Sequence, residues 1–196
     1  MNGSNIAGGN PNKGRVDNDF YATSPADTTA FLEIIDDVYD LNHASIIEPS
    51  AGQGHIMDVL SSRYPTSQVI GRDLIDRGNP EIESGVDFLT TERDEHFDYV
   101  ITNPPFVIAK EFIDKALTIG DKVFIFAKLQ FLEGRARKDW FADKPLKYVY
   151  VYSYRANPWR NGQSRDSNGK KWSSTMAFAW YVFDVNYAGE PTIRWI

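Results

Sequence analysis

The chain has 196 residues, 42% of them hydrophobic, which is enough to bury one core and too many for an unstructured polymer. Cysteine is absent, which excludes disulfides, thiolate metal sites and cysteine nucleophiles, and no apolar run nears the ~20 residues that span a bilayer, so a cytoplasmic protein with no membrane association is expected. The formal net charge of −6, taken alone, speaks against a nucleic-acid binder.

Residues 1–18 are rich in Gly and Asn and read as a flexible arm; the stretch from Met1 to Pro11 has no apolar segment of the kind a secretory leader carries. Pro25 suits a first helical turn, and Phe31, Ile34, Ile35 and Val38 recur at helical spacing. Ser45-Ile46-Ile47-Glu48 predicts a short buried strand, followed by the loop Pro49-Ser50-Ala51-Gly52-Gln53-Gly54 and a helix through Ile56, Val59 and Leu60. A second strand starts at Gln68 and ends at Asp73, and Val86 and Phe88 mark a short strand or turn. Phe97-Asp98-Tyr99-Val100-Ile101-Thr102 is a clear strand, stopped by Asn103-Pro104-Pro105. An amphipathic helix over 107–119, a strand over 122–127, a helix over 131–141 and two late strands over 148–152 and 176–183 complete the series. Trp180, Tyr181 and Phe183, in the last of these, are expected in the core. This order predicts one α/β domain over 19–196: a mostly parallel central sheet, helices on both faces and a late antiparallel strand pair. The polar stretch 155–174 between the late strands is long enough to be functional or disordered.

Two segments carry chemistry. Gly52 and Gly54 let the backbone turn tightly between strand and helix and approach a ligand closely. Asp73, 19 residues after Gly54, ends the next strand, where a carboxylate can accept hydrogen bonds from both hydroxyls of a ribose. Together they point to a cofactor containing a nucleoside; the third glycine of a dinucleotide fingerprint is missing, which disfavours a nicotinamide. The second segment is Asn103-Pro104-Pro105-Phe106. The prolines fix the backbone and remove two donors, so a strand end presents the Pro104 carbonyl and the Asn103 amide oxygen beside an aromatic ring. Two acceptors that take both hydrogens of a conjugated amino group orient its lone pair toward an electrophile, and Phe106 can stack on a base turned out of a helix. No metal and no general base of shifted pKa is needed.

These residues resemble the class I S-adenosylmethionine-dependent amino-methyltransferases, and are most similar to the small phage- and prophage-type N6-adenine DNA methyltransferases, over roughly residues 18–185. The resemblance implies a Rossmann-like fold and S-adenosylmethionine as cofactor. It places Glu48 beside the methionine amino group, with Ser50, Ala51, Gly52, Gln53 and Gly54 along the cofactor. Asp73 and Leu74 fall at the ribose position, and Asp87-Phe88 is similar to the motif bordering the cofactor adenine. Asn103, Pro104, Pro105 and Phe106 correspond to the catalytic motif, with Asn103 also touching the cofactor. Phe20-Tyr21-Ala22-Thr23-Ser24-Pro25 is similar to a segment that closes over the methionine end, which assigns Tyr21, Thr23 and Pro25 to the cofactor site. His55 is expected to start a helix without cofactor contact.

No separate target-recognition domain follows the tetrad, and residues 128–174 are the segment that could serve that role; recognition of a short context or through a partner subunit are the alternatives, and a homodimer is a further alternative assembly. Residues 1–127 hold 9 Lys/Arg and 21 Asp/Glu, a net of −12, whereas residues 128–172 hold 11 and 4, a net of +7. That asymmetry suggests a phosphate-contacting face built from Arg135, Arg137, Lys138, Arg155, Arg160, Arg165, Lys170 and Lys171, with Trp159 available for base stacking or as a core anchor. DNA is the expected partner. The same tetrad also serves methyltransferases of RNA (guanine N2 or adenine N6) and of protein glutamine, and a SAM-binding subunit without catalysis is a further alternative. The basic loop favours nucleic acid, as does Phe106 where the glutamine enzymes more often carry Tyr.

Overall fold

The structure, a computed structural model, describes residues 20–172 and 175–196. The arm expected over 1–18, and residues 173 and 174 of the polar loop, lie outside the described residues. The elements run β1 (Tyr21–Ala22), α1 (Pro25–Ile35), β2 (Ser45–Glu48), α2 (His55–Arg63), β3 (Gln68–Asp73), β4 (Ile82–Ser84), β5 (Phe97–Thr102), α3 (Ala109–Ile119) and β6 (Gly120–Lys128). A 3-10 turn (Leu129–Leu132), α4 (Arg135–Phe141), β7 (Leu146–Val151), β8 (Trp159–Arg160), β9 (Phe178–Asp184) and β10 (Thr192–Trp195) follow.

Eight strands form one sheet in the order β10-β7-β9-β6-β5-β2-β3-β4. Every pairing is parallel except those of β9, which runs antiparallel to both β6 and β7. Strand order reverses at β2, which lies between β3 and β5, so a crevice opens at the carboxyl ends of these strands. The strands alternate side chains between two cores. Tyr99, Ile101, Phe124, Phe126, Trp180 and Val182 face α1 and α2; Val100, Val123, Ile125, Tyr181 and Phe183 face α3 and α4. Both sheet faces are covered, which is why β5, β6 and β9 are nearly continuous apolar runs. Pro25 does open α1, and the Ser24 hydroxyl caps it by accepting from the Asp27 N–H at 3.1 Å.

The structure departs from the sequence reading in three places. The helix expected over 131–141 is split by Gly134, whose φ of +109° interrupts helical propagation. The stretch 155–174 carries β8, which pairs antiparallel with β1, and bridges joining Arg160 to Gln163 and Arg165 to Lys171. An unexpected strand, β10, with all four residues exposed, extends the sheet beside β7. Among the described residues no helix is long and apolar enough to cross a membrane.

Candidate active site

A cavity of about 270 Å³ lies at the carboxyl ends of β2, β3 and β5. One wall is the start of the turn after β2, Pro49, Ser50 and Ala51, and behind it Gly52 and Gly54 adopt φ of +60° and +96°. A side chain at Gly52 would be strained there and would also run into the Phe20 ring lying on it. The turn is pinned from below, since the Gly52 N–H donates to Asp73 Oδ2 at 2.7 Å and the Ala51 N–H donates to the Arg72 carbonyl at 2.8 Å. Asp73 Oδ1 accepts from the Ile75 N–H at 2.8 Å. Each carboxylate oxygen of Asp73 therefore keeps a second acceptor position.

Glu48, at the end of β2, is 2% exposed and lines the cavity. Its Oε2 accepts from the Met57 N–H in the first turn of α2 at 2.8 Å. Burial pushes its carboxyl well above the ordinary value near 4.5; the Met57 bond opposes the rise, and the charges of Asp73 and Asp58 add to it. A carboxyl raised on folding contributes stability that is complete below its ordinary value and is lost as pH climbs through the raised one. Glu48→Gln is thus expected to melt above the parent at neutral pH, with a gap that widens from pH 5 to 8. Melting curves across that range check it, and a pH-independent difference would show that Glu48 does not titrate in this window.

Asn103 closes the cavity from β5. Its Nδ2 donates one of its two hydrogens to the Tyr21 carbonyl at 2.5 Å, which orients the amide, and Oδ1 accepts from none of the described residues. Pro104 and Pro105 line the same wall. Phe106 lies just outside it, half-buried, with its ring 5.9 Å from Tyr21 and 6.0 Å from Phe178, and with Lys128 Nζ 4.6 Å from its centre.

Of the residues expected at the cofactor, Tyr21, Thr23, Glu48, Ser50, Ala51, Asp73, Leu74, Asp87, Phe88 and Asn103 line the cavity. Pro25, Gly52, Gln53 and Gly54 do not: Pro25 is spent in the first turn of α1, and the three others shape the turn behind the wall. Thr23 Oγ1 is buried without a hydrogen-bond partner. The sequence reading missed the apolar wall of Ile56, Ile75, Val86, Ile108 and Phe112, which carries no pattern that separates it from ordinary core. It missed Arg77; Phe20, in the segment expected to close over the methionine end, lines the cavity, and so does His55, which starts α2 as expected and for which no cofactor contact was expected.

The basic segment reaches this site through β8. Tyr21 pairs with Arg160 and Ala22 with Trp159, and the Asn161 N–H donates to the Phe20 carbonyl at 3.2 Å. The Trp159 ring meets His55 edge-on at 5.4 Å. Arg160 is half-buried over Trp172 at 5.1 Å, while Arg165, Lys170 and Lys171 are exposed beyond it. Arg155 donates to the Thr175 carbonyl and remains exposed, as do Arg135 and Lys138 on α4. Arg137 is the exception among the expected phosphate contacts. Its guanidinium is packed 3.9 Å over the Phe131 ring, Nη1 is buried without a partner, and burial lowers its pKa.

No protein-family model matches the chain. The type II methyltransferase M.CvrRI of Paramecium bursaria Chlorella virus XZ-6E is 29% identical over 80 residues; the match takes in 37% of this chain and 21% of that protein, about a fifth of the relative's length. Among solved structures, PH1948 of Pyrococcus horikoshii, provisionally described as an RNA methyltransferase, superposes with a TM-score of 0.62 at 17% identity, covering 84% of this chain and 86% of that one. The methyltransferase subunit of a type I restriction-modification system from Streptococcus thermophilus gives a TM-score of 0.61 at 13% identity, covering 87% and 46%. With this likeness, the parallel sheet that reverses at β2 and the antiparallel β9, the chain has the Rossmann-like fold of the class I S-adenosylmethionine-dependent methyltransferases.

Proposed function

We propose that the protein transfers a methyl group from S-adenosylmethionine to the exocyclic N6 of adenine in DNA. The observation that carries this reading is Asn103. Its nitrogen is tied to the Tyr21 carbonyl, so its oxygen is the free end at the cavity wall formed with Pro104 and Pro105.

The cavity's groups match the cofactor in kind. Asp73 offers acceptors to the ribose hydroxyls, and Val86, Phe88, Ile108 and Phe112 give an apolar slot for a purine. Glu48 suits the ammonium of the methionine end, where the buried Thr23 hydroxyl still lacks a partner. The cofactor supplies an activated methyl on a sulfonium. The protein's part is positional: Asn103 Oδ1 and the Pro104 carbonyl accept the two amino hydrogens, and these fixed dipoles favour a pyramidal nitrogen as positive charge develops on it. Phe106 offers the ring on which an extruded base can stack.

DNA as the polymer is supported by the type II methyltransferase relative and by the restriction-modification subunit that shares the fold. The phosphate face is the hairpin beyond β8, and residues 128–174 are the part of this chain that would contact the target. Replacing Arg165, Lys170 and Lys171 together with Gln is expected to flatten the slope of log affinity against log salt by up to about 0.9 for each duplex phosphate that is no longer neutralised. Binding isotherms at several salt concentrations read this directly; an unchanged slope would mean the phosphate-binding face lies elsewhere. The polymer itself is identified by offering labelled cofactor with equal amounts of unmethylated DNA, RNA and a glutamine-bearing protein. Label entering DNA supports the reading, and label entering RNA or protein instead overturns that part of it.

A further inference from the structure

Arg77 lines the cavity, and no described residue pairs with it in a salt bridge or hydrogen bond. Glu48, Asp73 and Asp87 line the cavity, and among the described lining residues Arg77 alone carries a permanent positive charge. His55 does not share the task, since burial lowers its pKa. None of the described residues accepts a hydrogen bond from Arg77, and its Nε is buried without a partner. The guanidinium lies 3.9 Å over the Phe20 ring, and that ring lies on Gly52. The loop carrying it is held in place at both ends: Ile75 N–H donates to Asp73, and Asn79 Nδ2 donates to the Gln53 carbonyl at 2.9 Å. Arg77 is therefore held over Phe20 on the glycine turn. A planar fork of donors with no acceptor among the described residues is matched in shape and charge by a carboxylate.

We infer that Arg77 is a specificity-determining residue that binds the methionine carboxylate of the cofactor, assisted by the Thr23 hydroxyl, which lines the same cavity and is buried without a hydrogen-bond partner. The inference rests on the cofactor reading above and divides the amino-acid end of the cofactor by charge: Glu48 meets the ammonium, and Arg77 meets the carboxylate. It makes the site selective for an intact amino-acid tail.

Decarboxylated S-adenosylmethionine, which keeps the sulfonium, the amine and the adenosine, isolates this interaction. Calorimetric titration of the parent, Arg77→Gln and Arg77→Lys with both ligands gives the required comparison. The parent should prefer S-adenosylmethionine by about tenfold or more, the scale of one charge-assisted hydrogen bond. Arg77→Gln should lose that preference through weaker binding of S-adenosylmethionine alone, keeping affinity for the decarboxylated form within about twofold, and Arg77→Lys should fall between. Equal loss toward both ligands would show that Arg77 only props Phe20 and would overturn the inference, as would no loss toward either. A parent that binds decarboxylated and intact cofactor equally well overturns the inference while leaving the cofactor reading in place. A parent that binds neither overturns both.

Discussion

Asn103→Ala should lower the rate of methyl transfer at least ~100-fold, by analogy with removal of one oxyanion-hole donor, while changing cofactor affinity little. The amide oxygen accepts from none of the described residues, so its strongest interaction would form as the attacking nitrogen becomes pyramidal and positive. An interaction made mostly in the transition state costs rate rather than binding when it is removed. The structure adds a complication that can be measured separately. Asn103 Nδ2 also tethers the Tyr21 carbonyl, and Tyr21 belongs to the segment that lines the cavity and pairs with β8. Asn103→Asp keeps an acceptor oxygen and loses the tether. If the oxygen carries the catalysis, single-turnover rates should fall far less in the Asp variant than in the Ala variant. If the two variants fall alike, the tether is what matters and the oxygen is not.

Asp73→Ala should have the largest effect on cofactor binding. Two ribose hydroxyls would lose a charged acceptor, a cost of roughly 1.5–3 kcal/mol, or about ten- to a hundredfold in affinity. Asp73 also holds the Gly52 and Ile75 N–H groups, so the glycine turn and the loop bearing Arg77 both loosen. The variant is expected to melt below the parent as well as bind weakly. Asp73→Asn, which retains one oxygen acceptor, should recover part of the melting temperature but not the full affinity. Titration and melting of both variants check this, and an Asp73→Ala protein with parental affinity would remove the carboxylate from the cofactor site.

How legible each part was in the sequence follows from how its signal arises. β2, β3 and β5 were readable residue by residue because they are apolar, mostly buried towards their carboxyl ends, and stopped by chemistry: the Glu48-to-Gly54 turn, Asp73 and the Asn103-Pro104 break. β1 and β8 were not, because two-residue strands have no periodicity and their partners lie some 140 residues apart, Tyr21 with Arg160. That pairing matters most for the site, since it brings the basic hairpin over the turn at His55. β10 was missed because all four of its residues are exposed and no buried alternation marks it. Ile108 and Phe112 could not be told from the core side of α3, and Arg77 had no motif at all; only the fold puts it over Phe20. Arg137 shows the opposite failure, a cation counted with the basic surface that packs on Phe131 instead.

The most direct test of the central claim is nucleoside analysis after incubation of the protein with methyl-labelled S-adenosylmethionine and unmethylated duplex DNA. The account predicts label in N6-methyldeoxyadenosine, lost in the Asn103→Ala variant. Label in a methylated cytosine carbon, or no label in any nucleoside while the protein demonstrably binds the cofactor, would contradict it.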